Sequence, residues 1–246
     1  MRLSRSPQRP VDRSAQILWL LCASLFAFCT GNPAADIEGR ILEVGASEVF
    51  LSHRDSTVVQ NASGGSRIGA GDLIKVEAQS EVVLLLLPGS LVHLGAATQF
   101  SPQVLALRKN GFATAEPMHR AVSLELREGV ASCLIEFESD PPSWLLQTPH
   151  GVLSTATPGS CRVDVNAART RVIAAHGTFS FQAAAPGSPA TPLQTGYVCD
   201  FPSNDALPFP TELDLETNAL INQLRALEQK MLALENRFRF ERFPWR

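Results

Sequence analysis

From Ile37 to Val198 apolar residues recur in short runs, many alternating with polar ones, and Gly, Pro, Ser, Asn or Asp separate the runs. Alternation puts every second side chain on one face of an extended chain, so the pattern predicts strands. Arg40 to Val44 and Glu48 to Leu51 bracket Gly45-Ala46-Ser47 as a hairpin. Ser56 to Gln60 leads into a polar, glycine-rich loop over 61–66, and Ile74 to Ala78 is the next strand. Glu81 to Leu87 is apolar at every position after the first, which predicts a strand buried on both faces. Pro88-Gly89 supplies a turn, because Pro presets φ at one corner and Gly accepts positive φ at the next, and Leu91 to Leu94 returns. Val104 to Leu107, Ala121 to Leu126, Ala131 to Phe137, Trp144 to Gln147, Val152 to Thr155, Cys161 to Val165, Arg171 to Ala174 and Thr178 to Gln182 continue the series. No helical pattern interrupts it, which excludes a parallel α/β sheet. A strand about every ten residues implies an all-β sandwich, a roll or a solenoid-like stack. No repeat of fixed period is present.

The period changes near the C-terminus. Residues 200–210 contain Pro202, Pro208 and Pro210 and read as a stiff linker. Thr211 is an N-cap candidate with Asp214 three residues on, and Glu212, Asp214 and Glu216 suit the positive end of a helix dipole. Leu220, Leu224, Leu227, Met231, Leu234 and Phe238 then follow at alternating steps of four and three, an a/d heptad seam with Leu224, Met231 and Phe238 at a. Lys230 at g and Glu235 at the next e are placed to pair between parallel chains. A helix from Glu212 to about Glu241 is about 45 Å long. The expectation is a C-terminal coiled-coil helix that self-associates through those six residues into a dimer or trimer. The competing reading is one amphipathic helix lying on its own β-domain, which Ile221 at e favours by widening the stripe.

The N-terminus has the layout of a secretory signal: a basic stretch to Arg13, an apolar run from Ile17 to Phe28, then small residues. Twelve apolar residues are short for a membrane span. An uncleaved anchor and lipid attachment at Cys29 are the alternatives, and Phe28 is bulky for a lipid-attachment signal. The division expected is a signal or anchor over 1–35, a β-domain over 36–199, the linker over 200–210, and the helix with its tail over 211–246. Net charge is −3 over 246 residues; the first 35 carry four Arg against one Asp, leaving a mildly acidic remainder. That gives no field for nucleic acid. With 45% hydrophobic and only 18% charged residues, a packed core is expected. Export would place Cys133, Cys161 and Cys199 in an oxidising compartment. One disulfide with one free thiol, or three buried thiols, are both open.

Little else suggests chemistry. His53, His93, His119, His150 and His176 form no metal-binding or close pair, and the cysteines lack zinc spacing. Gly64-Gly65-Ser66-Arg67-Ile68-Gly69-Ala70-Gly71 lacks the Lys-Ser/Thr of a phosphate loop. Glu136, Glu138 and Asp140 read as a solvated loop before Pro141-Pro142, and Asn61-Ala62-Ser63 is a glycosylation pattern of little weight. Aromatic residues make up 7% of the chain, too few for a stacking platform. The expectation is no catalytic, cofactor or metal site.

An ordered series of short motifs resembles the FecR-type domain, a periplasmic all-β module. Ile68-Gly69-Ala70-Gly71-Asp72-Leu73-Ile74 looks like its "L-x-x-G-D-x-I" step. Glu81 to Gly95, with Pro88-Gly89-Ser90 at its turn, is similar to its core hairpin. Leu126-Arg127-Glu128-Gly129 matches a later "L-x-x-G". Thr148-Pro149-His150-Gly151 looks like its "T-P" segment and Gly159-Ser160 like its "G-T", although the apolar alternation Cys161, Val163, Val165 is one residue off the expected register. Val172 to Phe181 and Leu193-Gln194-Thr195-Gly196-Tyr197 complete the series, which spans about 37–200. The resemblance implies the fold, an envelope location and protein contact. Well-known members resemble anti-sigma regulators with a cytoplasmic domain ahead of a membrane span, and the roughly 16 residues before the apolar run are too few for that domain. The function expected is an exported, non-catalytic module contacting another envelope protein or a cell-wall component, touching the membrane only through an uncleaved N-terminal segment. The alternative is a membrane-anchored component of signalling to an extracytoplasmic-function sigma factor system.

Overall fold

The computed structural model describes residues 35–45, 48–109, 117–138, 143–185, 187–202, 210–211 and 215–242. Expectations about the N-terminal signal and about residues 203–209 of the linker lie outside them. The described strands fall into two sheets.

Sheet A runs, from edge to edge, β4 (Val59–Asn61), β3 (Val49–Ser52), β6 (Leu73–Val76), β9 (Thr98–Lys109), the first half of β10 (Pro117–Ile135), β11 (Trp144–Thr148), β12 (Gly151–Thr155), β15 (Phe179–Ala183) and β16 (Ala190–Leu193). Beyond β6, β1 (Ala35–Asp36) pairs with the far end of β9. Sheet B runs β5 (Arg67–Ile68), β2 (Gly39–Val44), β7 (Val82–Leu87), β8 (Ser90–Leu94), the second half of β10, β13 (Gly159–Val165), β14 (Arg169–His176), β17 (Val198–Pro202) and β18 (Pro210–Thr211). Pairing is antiparallel except between β10 and β11. Each sheet ends in two edge strands, so the body is an open all-β sandwich whose layers share β10.

The sharing explains one motif. Pairing of β10 with β9 ends at Glu128↔Gln99, and pairing with β13 begins at Gly129↔Val165. Gly129 has φ +94°, and a Cβ there would run into Thr98 and the carbonyl of Ala97. An L-residue is therefore excluded by conformation and by space. Leu126 of the same "L-x-x-G" step is fully buried. The step recurs at Ile68–Gly71, where the chain passes from β5 in sheet B to β6 in sheet A. It recurs again at Leu193–Gly196, between β16 in sheet A and β17 in sheet B; Gly71 and Gly196 also have positive φ. At the last two steps the buried aliphatic ends one strand in the core, and at all three the glycine turns the backbone across to the other layer.

Inward-facing residues of both sheets form one core that includes Ile41, Leu84, Phe100, Trp144, Val163 and Phe181. Phe181 of sheet A stacks on Phe201 of sheet B with ring centroids 3.7 Å apart. The remaining apolar positions of β7, Val83 and Leu85, face outward with Leu91 and Leu134 and lie beneath the helix α1 (Leu215–Arg242). Farther along, Ile173, Ala175 and Val198 are covered by Ile221 and Leu224. Burial of β7 on both faces thus has two separate causes, the core on one side and α1 on the other. Among the described residues no helix is long and apolar enough to cross a membrane.

Several boundaries differ from those predicted. Ala121 to Leu126 and Ala131 to Ile135 belong to one bent strand, which stops two residues short of the predicted Phe137, because Gly129 redirects the chain without breaking its pairing. The strand expected from Ser56 is only Val59–Asn61. In β13 the alternation of Cys161, Val163 and Val165 prevails: all three are buried, while Arg162 and Asp164 face out as an ion pair at 2.9 Å. Thr211 pairs with Val198 in β18, and the helix is described from Leu215; the capping expected of Thr211 involves residues 212–214, which lie outside the described residues.

Candidate functional site

The six seam residues sit on one face of α1, and that face meets sheet B of the same chain. Leu224 and Met231 are buried; Leu220, Leu227, Leu234 and Phe238 are half-buried against the same sheet. Ile221 and Glu235, both at e, are also buried, so the covered stripe is centred between a and e, with d at its border. Lys230 reaches sheet B of its own chain, where its Nζ donates to Glu43 at 2.7 Å and lies 3.6 Å from Glu81. Glu235 accepts from the backbone N–H of Gly89 in the β7–β8 turn at 3.4 Å. The Glu81 carboxyl is held below its ordinary range, chiefly by the hydrogen bond from His93 Nε2 (3.1 Å) and also by Lys230. Glu43 raises the Lys230 ammonium above its ordinary value. Any pairing of the seam with a second copy therefore competes with packing already in place.

A second cluster lies at one end of sheet A. Asp72, 5% exposed, follows the glycine of the first "L-x-x-G-D" step. Its Oδ2 accepts from the N–H of Gly69 at 2.8 Å and from His53 Nδ1 at 2.8 Å, and its Oδ1 accepts from the N–H of Arg54 at 3.0 Å. With Nδ1 donating, His53 Nε2 accepts from Gln60 Nε2 at 2.8 Å. The chain Asp72–His53–Gln60 ties the β5–β6 turn to the β3–β4 hairpin. Both ring nitrogens of His53 are engaged, and among the described residues no nucleophilic side chain bonds to either, so the geometry is that of a brace. Beside it lies a hollow of about 420 Å³ lined by Glu38, His53, Arg54, Asp55, Ser56 and Arg67.

The brace holds β4, whose three residues are all exposed. Val58 is 65% and Val59 59% exposed, more than any other large apolar side chain described. On its other side β4 pairs with no strand among the described residues. An open edge carrying exposed apolar side chains is a template for adding a strand. Sequence reasoning missed this cluster. Asp72 entered only as a motif residue and His53 as one of five scattered histidines, and nothing in the linear order shows that they meet 19 residues apart.

Of the other histidines considered for chemistry, two are engaged in structure, His176 is exposed, and the side chain of His119 lies outside the described residues. His150 is buried, and its Nδ1 donates to Thr170 Oγ1 at 2.9 Å. Thr170 donates to Thr148 Oγ1 at 3.1 Å, and Thr148 to the carbonyl of Gly151 at 3.0 Å, closing the Thr-Pro-His-Gly turn. His93 serves Glu81, and Gly65 accepts from Arg40 at 3.0 Å. Among the described residues no three His, Cys, Asp or Glu are grouped to hold a metal ion. The thiols of Cys133, Cys161 and Cys199 are free and buried. Burial, with the charge of Asp200, pushes Cys199 up to about 11.

No protein-family model matches the chain, and no curated protein matches it. Among solved structures, the chain is similar to two crystal structures, each of a proposed anti-sigma factor from Parabacteroides distasonis. The TM-scores are 0.44 and 0.43 and the identities 18% and 17%; in each case 58% of this chain and 61% of the other are covered. The match thus spans less than two thirds of either protein.

Proposed function

We propose that this chain is an exported, FecR-like contact module that works without catalysis, by taking an extended segment of another envelope protein onto the β4 edge of sheet A. The observation that carries the reading is exposed Val59 on an open edge strand, with exposed Val58 just ahead of it, the strand being held in place by the Asp72–His53–Gln60 brace. An added strand gains main-chain hydrogen bonds from the edge and apolar contact from the two valines. The FecR-like assignment is supported by three "L-x-x-G" steps lying at three crossings between the sheets. The envelope location rests on the signal-like N-terminus.

A photo-crosslinking residue at position 58, in the full chain expressed in its own envelope, tests the contact. One protein species is expected to be captured in quantity, and Val59→Lys is expected to reduce its recovery at least about tenfold, since a charged edge repels strand addition. Gln229→Lys, on the exposed side of α1, is the control and should leave recovery unchanged. Equal recovery with Val59→Lys removes the edge from the proposal. Capture only by cell-wall material would assign the contact to a wall component. Retention of the chain in the membrane after salt washing would favour the anchored signalling alternative.

A further inference from the structure

Three buried cysteines would ordinarily leave their pairing open, but the sheet register removes the choice. Cys133 of β10 and Cys161 of β13 are direct cross-strand partners, both core-facing and at most 1% exposed. The two side chains are hydrogen-bonded to each other, and this contact and burial hold the Cys161 thiol well above its ordinary range. The flanking bonds set the type of pair. The N–H of Gly95 donates to Val130 and that of Glu136 to Gly89, so even-numbered residues of this half of β10 bond toward β8. Cys133 therefore bonds toward β13, and the pair is of the hydrogen-bonded kind, with Cα atoms about 5.5 Å apart. That matches the commonest Cα separation across a disulfide. Cys199 is out of reach. It lies on β17 beyond β14, two strand spacings or about 9.5 Å across the sheet and two residues along from Cys161, and one strand farther from Cys133.

We propose that Cys133 and Cys161 are a disulfide site, closed during folding in an oxidising compartment by exchange with a dithiol oxidase or a small-molecule disulfide, with Cys199 left as a thiol. The thiolate of one cysteine attacks the donor disulfide and releases one donor thiol. The second cysteine then displaces the other, so two electrons and two protons pass from the pair to the donor. The step belongs to folding because the closed core excludes the donor and keeps Cys161 protonated, and a thiol is a poor nucleophile. Closure draws the Cβ atoms inward from the roughly 5 Å of an open pair, which makes the bond easily reduced wherever the core opens. This inference rests on the export half of the proposed function and not on the contact at β4.

The full chain is unfolded in reductant, refolded in mixed oxidised and reduced glutathione, alkylated in denaturant and peptide-mapped by mass spectrometry. The expected product joins the Cys133 and Cys161 peptides, with Cys199 alkylated. Cys199→Ser should keep the link, and adding the same glutathione mixture to the folded, reduced chain should form it at least about tenfold more slowly. Alkylation of both Cys133 and Cys161 in a chain refolded to a strand-rich spectrum overturns the proposal. So does a main product through Cys199, loss of the link in Cys199→Ser, or equally fast oxidation of the folded chain.

Discussion

The two sheets share a core and differ in what lies on their backs. The outer face of sheet B carries Val83, Leu85, Leu91, Leu134, Ile173, Ala175 and Val198, all buried under α1. The corresponding face of sheet A is polar. Arg127 makes two bonds to Glu125, at 3.0 and 3.2 Å, Gln103 donates to Glu125 at 3.0 Å, Gln99 donates to Glu128, and Lys75 pairs with Glu77 at 3.0 Å. The same backbone arrangement thus accepts two kinds of strand. An alternating strand such as Trp144–Thr148 needs one dry side, whereas the unbroken Val82–Leu87 needs two. The helix belongs to the fold of sheet B as much as any strand does, and the contact edge proposed above is on the layer that lacks it.

The sharpest way to break the comparison is to remove the cover. Met231 is 1% exposed at the centre of the contact with Val83, Leu85, Leu91 and Leu134. Met231→Asp should cost about 3 kcal/mol, because a charge is forced into that contact or the helix leaves it. A lower melting temperature and new binding of an apolar dye are expected. If the variant instead turns a dimer into a monomer on sedimentation without a change in melting temperature, the stripe serves a second copy.

A smaller effect lies at the rim of the same contact. Glu81 is depressed in the folded chain, so its contribution is present above the ordinary carboxylate range and lost as pH falls through its folded value. Lys230 is raised, so its contribution is present below the ordinary lysine value and lost as pH rises through its folded value. The urea midpoint should therefore be level at neutral pH and fall at both extremes. Lys230→Met should flatten the alkaline limb, soften the acid limb only slightly because Glu81 owes most of its depression to His93, and change neutral stability by no more than about 1 kcal/mol, since the groups are largely solvated. An alkaline limb unchanged in that variant would place the alkali-sensitive contact elsewhere.

The smallest effect is expected on the uncovered layer. Glu125→Gln on sheet A removes a carboxylate that two neighbours use, yet should shift stability by no more than about 0.5 kcal/mol in a thermal melt. A loss comparable to that of Met231→Asp would show that the polar face of sheet A is also structural.

Most strands were legible because alternation is a local property, and the turns at Pro88-Gly89 and at the "L-x-x-G" steps were legible because only glycine tolerates their backbone. The merging of two predicted strands into β10 was not, since Gly129 reads equally as a turn or as a bend within continuous pairing. The seam from Leu220 to Phe238 was legible as an apolar stripe, but its partner was not, because a second helix and an apolar sheet present the same demand. Of the β4 edge, neither the openness of the strand nor the brace could be read in advance. Both depend on strand order, and Asp72, His53 and Gln60 are placed together only where the β5–β6 crossing turn meets the β3–β4 hairpin.

The amino-acid order by itself determined the strand-forming texture, the turns at glycine and the existence of an amphipathic C-terminal helix, because each follows from the chemistry of neighbouring residues. Only the tertiary structure decided that the helix roofs sheet B, that sheet A stays wet with one edge open, and that Cys133 meets Cys161 while Cys199 does not. Those are matters of register and layer, set by contacts between residues far apart in the chain, and a periodicity carries no information about which face another element will cover.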